Sequence, residues 1–208
     1  MTTLRTGVRV GGRRMIADAL LVRVARLSPA ERHDLLWLAR ASIRCALDGG
    51  APPEIRLTPA LQEPTAAFVS LHCEGRLRGC VGSVVPEKPL HETVASMACS
   101  AAFDDPRFPP LSVIEVPTID IEISRLSRMV PAQPEDVRPG IHGVCVAWGH
   151  QRAVFLPQVA TTHNWDRDTL LEELCRKASL ASDAWRQPGC SLLVFVAEVF
   201  GERAEREW

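Results

Sequence analysis

The segment Leu77-Arg78-Gly79-Cys80-Val81-Gly82 places a guanidinium, a thiol and two positions without side chains within six residues. On a β-strand alternate side chains share a face, so Arg78, Cys80 and Gly82 are expected together, with Arg78 and Cys80 ~7 Å apart at Cα. A cation beside a thiol favours the thiolate, which is the nucleophilic and metal-binding form. Glycines such as Gly79 and Gly82 weaken a strand and mark a bulge or a close approach of a ligand to the backbone. The chemistry this suggests is nucleophilic: a Cys80 thiolate on a pocket floor, with arginines holding a carboxylate or phosphate. The plainer reading makes Cys80 a small core residue and the glycines a packing seat for a helix.

A second cluster is Asp104-Asp105-Pro106-Arg107-Phe108-Pro109-Pro110, whose three prolines stiffen a loop carrying a carboxylate and a guanidinium. Asp104 or Asp105 is placed to act as a base, and Arg107 to join Arg78 in holding an anion. His142, after Pro139-Gly140 at the start of a strand, is a further candidate base or metal ligand. His72 and His91 are weaker candidates, each standing alone beside a strand end or helix start. No C-x-x-C, H-E-x-x-H, G-x-S-x-G or Walker A pattern is present, so no metal site and no cofactor are expected.

These residues need elements to hold them. Ser28-Pro29-Ala30-Glu31 is a capping box, followed by apolar residues at helical spacing as far as Gly49-Gly50. Residues 51–64 contain four prolines and read as an extended connector. Strands over 66–73 and 76–85 flank a turn at Glu74-Gly75 and form a hairpin. A helix follows over 89–102, then an alternating strand over 119–126, with Ile119, Ile121 and Ile123 on one side. Residues 130–139 read as a loop, 144–148 and 153–155 as strands, 156–162 and 166–178 as helices, and 192–200 as one last strand. Hairpins separated by helices, without regular βαβ alternation, indicate an α+β fold with a mainly antiparallel sheet flanked by helices.

The chain has 208 residues, enough to bury about 70% of its unfolded surface without disulfide or metal staples. With 24 basic and 25 acidic residues it lacks the positive coat of a general nucleic-acid binder. Residues 1–14 hold four arginines and no acid, so they read as a basic arm, with a short helix over 15–27. Nucleic-acid binding through that arm is the last-ranked reading. Seven cysteines without ligand spacing, no secretory segment and no long apolar run point to a cytoplasmic protein with reduced thiols and no membrane span.

The motifs together resemble the AMMECR-domain family (AMME chromosomal region; in microbes, protein A of the AmmeMemoRadiSam system). Residues 77–82 are its six-residue signature, with Val81 where Ile is commoner. Asp105-Pro106-Arg107-Phe108-Pro109-Pro110 matches a second motif. His142-Gly143, Phe155-Leu156-Pro157-Gln158-Val159 and Trp165-Asp166 match a third region, with Asn164 where Gly is usual. The resemblance spans residues 28–201, which implies one domain of a larger and a smaller subdomain, followed by a charged tail over 202–208. It implies a pocket by the signature, to which Arg78, Gly79, Cys80, Gly82, Asp105, Arg107 and Phe108 carry over as motif residues; the chemical roles of Cys80, Asp105 and His142 rest on the residue types alone. It also implies a modification pathway with a Memo-like and a radical-SAM partner. A non-catalytic module that binds a protein or ligand at the same place is the alternative.

Overall fold

The computed structural model describes residues 26–51 and 54–205. The basic arm and the short helix expected over 15–27 lie outside these residues, apart from the last two positions, Arg26 and Leu27, which are not helical. The described residues divide into two compact units, a larger one holding 26–127 together with 198–205 and a smaller one holding 128–197.

In the larger unit, helix α1 (Pro29–Asp48) begins at the expected capping box: the Ser28 hydroxyl accepts from the Glu31 backbone, and the Glu31 carboxylate from the Ser28 backbone. It ends at Gly49, whose φ of 77° lies where a side chain is strained. The connector contains one helical turn, α2 (Pro59–Gln62), started by a proline at its first position. Strands β1 (Ala67–Cys73) and β2 (Arg76–Ser83) form the hairpin, and its two turn residues, Glu74 and Gly75, have φ of 51° and 77°. Positive φ at both positions gives the turn that matches strand twist. Helix α3 (Leu90–Phe103) and strand β3 (Ile119–Leu126) follow.

The larger sheet has the order β2-β1-β3-β8, with β8 spanning Ala197–Gly201. Its inner face carries Val69, Leu71, Ile119, Ile121 and Ile123, all at most 1% exposed, clustered with Leu35 and Ile43 of α1 and Leu90 and Val94 of α3. The expected charged tail begins instead as a fixed element, α6 (Glu202–Glu205). The Glu202 carboxylate accepts from the Arg40 guanidinium and from the Ile121 backbone at 2.9 Å, which ties this end of the chain to the sheet.

The smaller unit is built on a sheet of order β4-β7-β5-β6, with β4 (Val130–Ala132), β5 (Gly143–Trp148), β6 (Gln151–Phe155) and β7 (Ser191–Phe195). Helices α4 (Pro157–Thr162) and α5 (Arg167–Lys177) belong to the same unit, and Leu170, Leu171 and Leu174 of α5 join Val144, Val146 and Val194 in its core. Asn164 has a φ of 53°, a conformation that glycine and asparagine adopt most readily, so it fills a glycine position without loss of the turn. The single strand expected over 192–200 is two strands, β7 in the smaller sheet and β8 in the larger. The pairs β1–β2, β1–β3, β4–β7, β5–β6 and β5–β7 are antiparallel, and the fold is α+β.

One irregularity sets the larger sheet. Leu71 pairs with Gly79 and His72 with Leu77, so Arg78 is an extra residue in β2. Beyond this bulge Ser70 faces Cys80, Val69 faces Val81 and Phe68 faces Gly82. Gly79 therefore sits on the core side, where an added Cβ would lie 2.1 Å from the carbonyl oxygen of Ala101 in α3. At Gly82 an added Cβ would lie 2.2 Å from the Phe68 ring. Both glycines, expected to open the backbone to a ligand, are filled by the protein's own atoms. Gly79→Ala should destabilise the chain by about 1–3 kcal/mol, because a main-chain carbonyl of a packed helix cannot move aside cheaply. Gly50→Ala, with nothing closer than 3.7 Å, should stay within about 0.5 kcal/mol. Urea denaturation of both variants checks this, and equal midpoints would contradict the close fit at Gly79.

Candidate functional site

Strand β2 is the outer strand of its sheet, so one side of its backbone has no strand beside it. At Cys80 the loop after α3 supplies the missing partners. The Cys80 N–H donates to Asp105 Oδ2 at 2.9 Å, and Arg107 Nη2 donates to the Cys80 carbonyl at 3.2 Å. Arg107 is in turn held by the same carboxylate, Nε to Oδ1 at 2.9 Å and Nη2 to Oδ2 at 2.6 Å, with its backbone N–H on Oδ1 at 3.1 Å. A carboxylate and a guanidinium thus complete the hydrogen bonds of one edge residue, which also closes that edge to another strand.

The Asp105 side chain is only 3% exposed. The Arg107 guanidinium holds its carboxyl well below the ordinary aspartate range, helped by the Cys80 and Arg107 backbone N–H groups and opposed by burial. The expected base is therefore a brace: a carboxylate ionised at neutral pH with both oxygens occupied has little tendency to accept a proton. Asp104 is exposed.

Arg78 is committed in the same way. Its Nε and Nη2 donate to the two oxygens of Glu115 at 2.7 and 3.2 Å. Glu115 also accepts from the backbone and hydroxyl of Ser112 at 2.9 and 2.8 Å. Its pKa is lowered to about 2, chiefly by Arg78 and next by the Ser112 backbone. The guanidinium carbons of Arg78 and Arg107 lie 6.0 and 5.5 Å from the centre of the Phe108 ring, so this ring rests against both cations.

The thiol of Cys80 is half-buried and accepts a hydrogen bond from the Ser70 hydroxyl at 3.2 Å. The cation that touches the Cys80 residue is Arg107, not the expected Arg78, which turns to Glu115 from the bulge. The structure thus brings Arg78, Gly79, Cys80, Gly82, Asp105, Arg107 and Phe108 together in one unit. Ser70 and Glu115 are the members that sequence reasoning missed. Glu115 follows two exposed apolar residues, Val113 and Ile114, and carries no local pattern; Ser70 is a small polar residue between the apolar Val69 and Leu71 of β1.

His142 belongs to the smaller unit and is 4% exposed. Its Nδ1 accepts from the Arg138 N–H at 3.2 Å, and its own backbone N–H donates to the Arg138 carbonyl at 2.9 Å. Burial, assisted by the Arg138 charge, pushes the imidazole down, so it stays neutral and fastens the turn before β5. The Nδ1 of His91 lies 2.9 Å from the Leu61 carbonyl and joins α3 to α2. His72 lies on β1 opposite Asp120 of β3. Among the described residues no group of three or more His, Cys, Asp or Glu is arranged to hold a metal ion, and no helix is long and apolar enough to cross a membrane.

The brace has a pH signature. Because Asp105 titrates lower in the folded chain than in the unfolded one, its stabilisation is complete above the unfolded value of about 3.9 and fades as pH falls below it. Asp105→Asn should cost about 1–3 kcal/mol at pH 7, with the gap to the wild type narrowing between pH 4 and 2. Denaturation at several pH values measures this; a gap that does not change with pH would remove the ionised brace from the account.

The profile of the AMMECR1 family matches residues 36–200. A protein from Methanothermobacter thermautotrophicus is 35% identical over 190 residues, covering 87% of this chain and 99% of its own length. Protein MK0488 of Methanopyrus kandleri is 37% identical over 188 residues, covering 85% of this chain and 91% of its own. The crystal structure of the uncharacterised protein PH0010 from Pyrococcus horikoshii superposes with a TM-score of 0.76 at 33% identity, over 81% of this chain and 89% of that one.

Proposed function

The chain belongs to the AMMECR1 family, and from that premise we propose that it is a cytoplasmic component of a modification pathway, working with a Memo-like protein and a radical-SAM protein through the Cys80 thiol. The observation that carries this reading is the setting of Cys80. Its backbone is clamped on the free edge by Asp105 and Arg107, while Ser70 donates to its sulfur. A group fixed at this level is held ready for use, whereas a packing thiol needs only space.

Arg107 supplies the cation of the site. Its side chain is 55% exposed although one edge of the guanidinium is bound to Asp105, so the other edge faces solvent and suits a carboxylate or phosphate. Burial pushes the thiols of Cys99, Cys145, Cys175 and Cys190 up, which makes them poor nucleophiles by comparison.

The second reading, a non-catalytic binding module, has its own support. Gly79 and Gly82 are packed by Ala101 and Phe68, and Arg78 and Asp105 are spent on internal bonds, so much of the signature is architecture. Peptide-resolved alkylation of the native chain with iodoacetamide at pH 7 separates the two. Cys80 is expected to react at least about tenfold faster than Cys99 or Cys190, and Arg107→Leu to slow it. A Cys80 no faster than those thiols would leave the module. Calorimetric titration with the purified Memo-like and radical-SAM proteins tests the pathway, which falls if neither associates.

A further inference from the structure

We infer that Ser70 is a positioning residue for the Cys80 sulfur, its hydroxyl donating to the sulfur as the thiolate forms. This rests on the reading that Cys80 is the working group of the site. The argument starts from the cost of the serine itself. Ser70 lies in the middle of β1, a strand with neighbours on both sides, and is only 6% exposed. A hydroxyl removed from water costs free energy unless it finds a partner. The partner that Ser70 finds is Cys80 Sγ, 3.2 Å away.

A neutral thiol is a weak acceptor, whereas a thiolate accepts a charge-assisted bond of roughly twice the strength. The hydroxyl is therefore satisfied best when the sulfur is ionised, and by reciprocity it favours that ionisation. The contact exists because of the bulge at Arg78, which sets Cys80 opposite Ser70. Directly opposed residues on one face stand about 4.5–5.5 Å apart at Cβ, close enough for two short side chains to meet.

Other charged groups lie around Cys80. Asp105 and Arg107 come from the loop after α3 and hold its backbone N–H and C=O. Arg78, paired with Glu115, precedes it on β2. Glu122 of β3 faces Ser70 from the other side, and His72 of β1 lies opposite Asp120 in the adjoining row. Glu122 and Asp120, when ionised, oppose a thiolate; Arg107 favours it. Ser70 is the one group among these that donates directly to the sulfur.

Alkylation of Cys80 by iodoacetamide, followed across pH in the full chain, tests the role. Ser70→Ala should slow the reaction at pH 7 by about tenfold, and the two rates should converge near pH 10, where thiols ionise unaided. Ser70→Thr, which keeps the hydroxyl, should restore most of the rate. Equal rates at pH 7, or a loss of the same size at every pH, would overturn the inference, the latter marking a purely structural effect. Urea midpoints of the variants verify that the fold persists. The ratio of variant to wild type judges Ser70, while the wild-type rate against Cys99 and Cys190 judges the thiol reading, so one can fail without the other.

Discussion

Inserting one residue into a strand moves every later side chain to the opposite face, and the extra residue at Arg78 does this to β2. A regular hairpin closed by Glu74 and Gly75 would set Cys80 opposite Val69, on the buried side of the sheet with Leu71 and the isoleucines of β3. With the bulge, Gly79 and Val81 take the core side, and Cys80 faces Ser70. That single insertion decides which face of the sheet the Cys80 thiol takes.

The residues around the bulge are explained by what it takes to keep it. A bulge loosens the ladder and leaves backbone groups to be satisfied elsewhere. Arg78, the inserted residue, is anchored through Glu115 to Ser112. Gly79 lets the Ala101 carbonyl of α3 press on the strand where any side chain would collide. Asp105 and Arg107 take the N–H and C=O of Cys80. Three separate contacts on three consecutive residues fix one register, and the slipped alternative would break all of them together. The two ion pairs leave the cluster without net charge, so their work is geometric more than attractive.

Much of this architecture was legible in the sequence because local chemistry dictated it. The capping box at Ser28, the stop at Gly49, the hairpin turn at Glu74-Gly75 and the alternating isoleucines of β3 all lie where their patterns placed them. The lost features have non-local causes. The break in the last apolar run is set by pairing in two different sheets, which an unbroken hydrophobic stretch conceals. The helical turn at Pro59 was hidden among prolines that usually mark extended chain. In the site, the Asp105–Arg107 pair was visible as a stiff motif, but its target, the backbone of Cys80, was not. Ser70 was out of reach for a sharper reason: without the bulge, counting back from the turn assigns it to Gly79, on the wrong face.

That last point bears on how the signature itself is understood. An arginine, a cysteine and two glycines in six residues invite a reading in which all of them meet a ligand. The contacts divide them instead. Arg78, Gly79 and Gly82 are spent on the protein itself, against Glu115, α3 and Phe68, and they build the shape of the strand. Cys80 is the residue they present, and Ser70 and the exposed edge of Arg107 are its nearest chemical company. Most of the six-residue motif thus serves one irregular stretch of backbone. In the proposed function the chemistry falls to a single sulfur, and to groups outside the motif that sequence spacing does not connect to it.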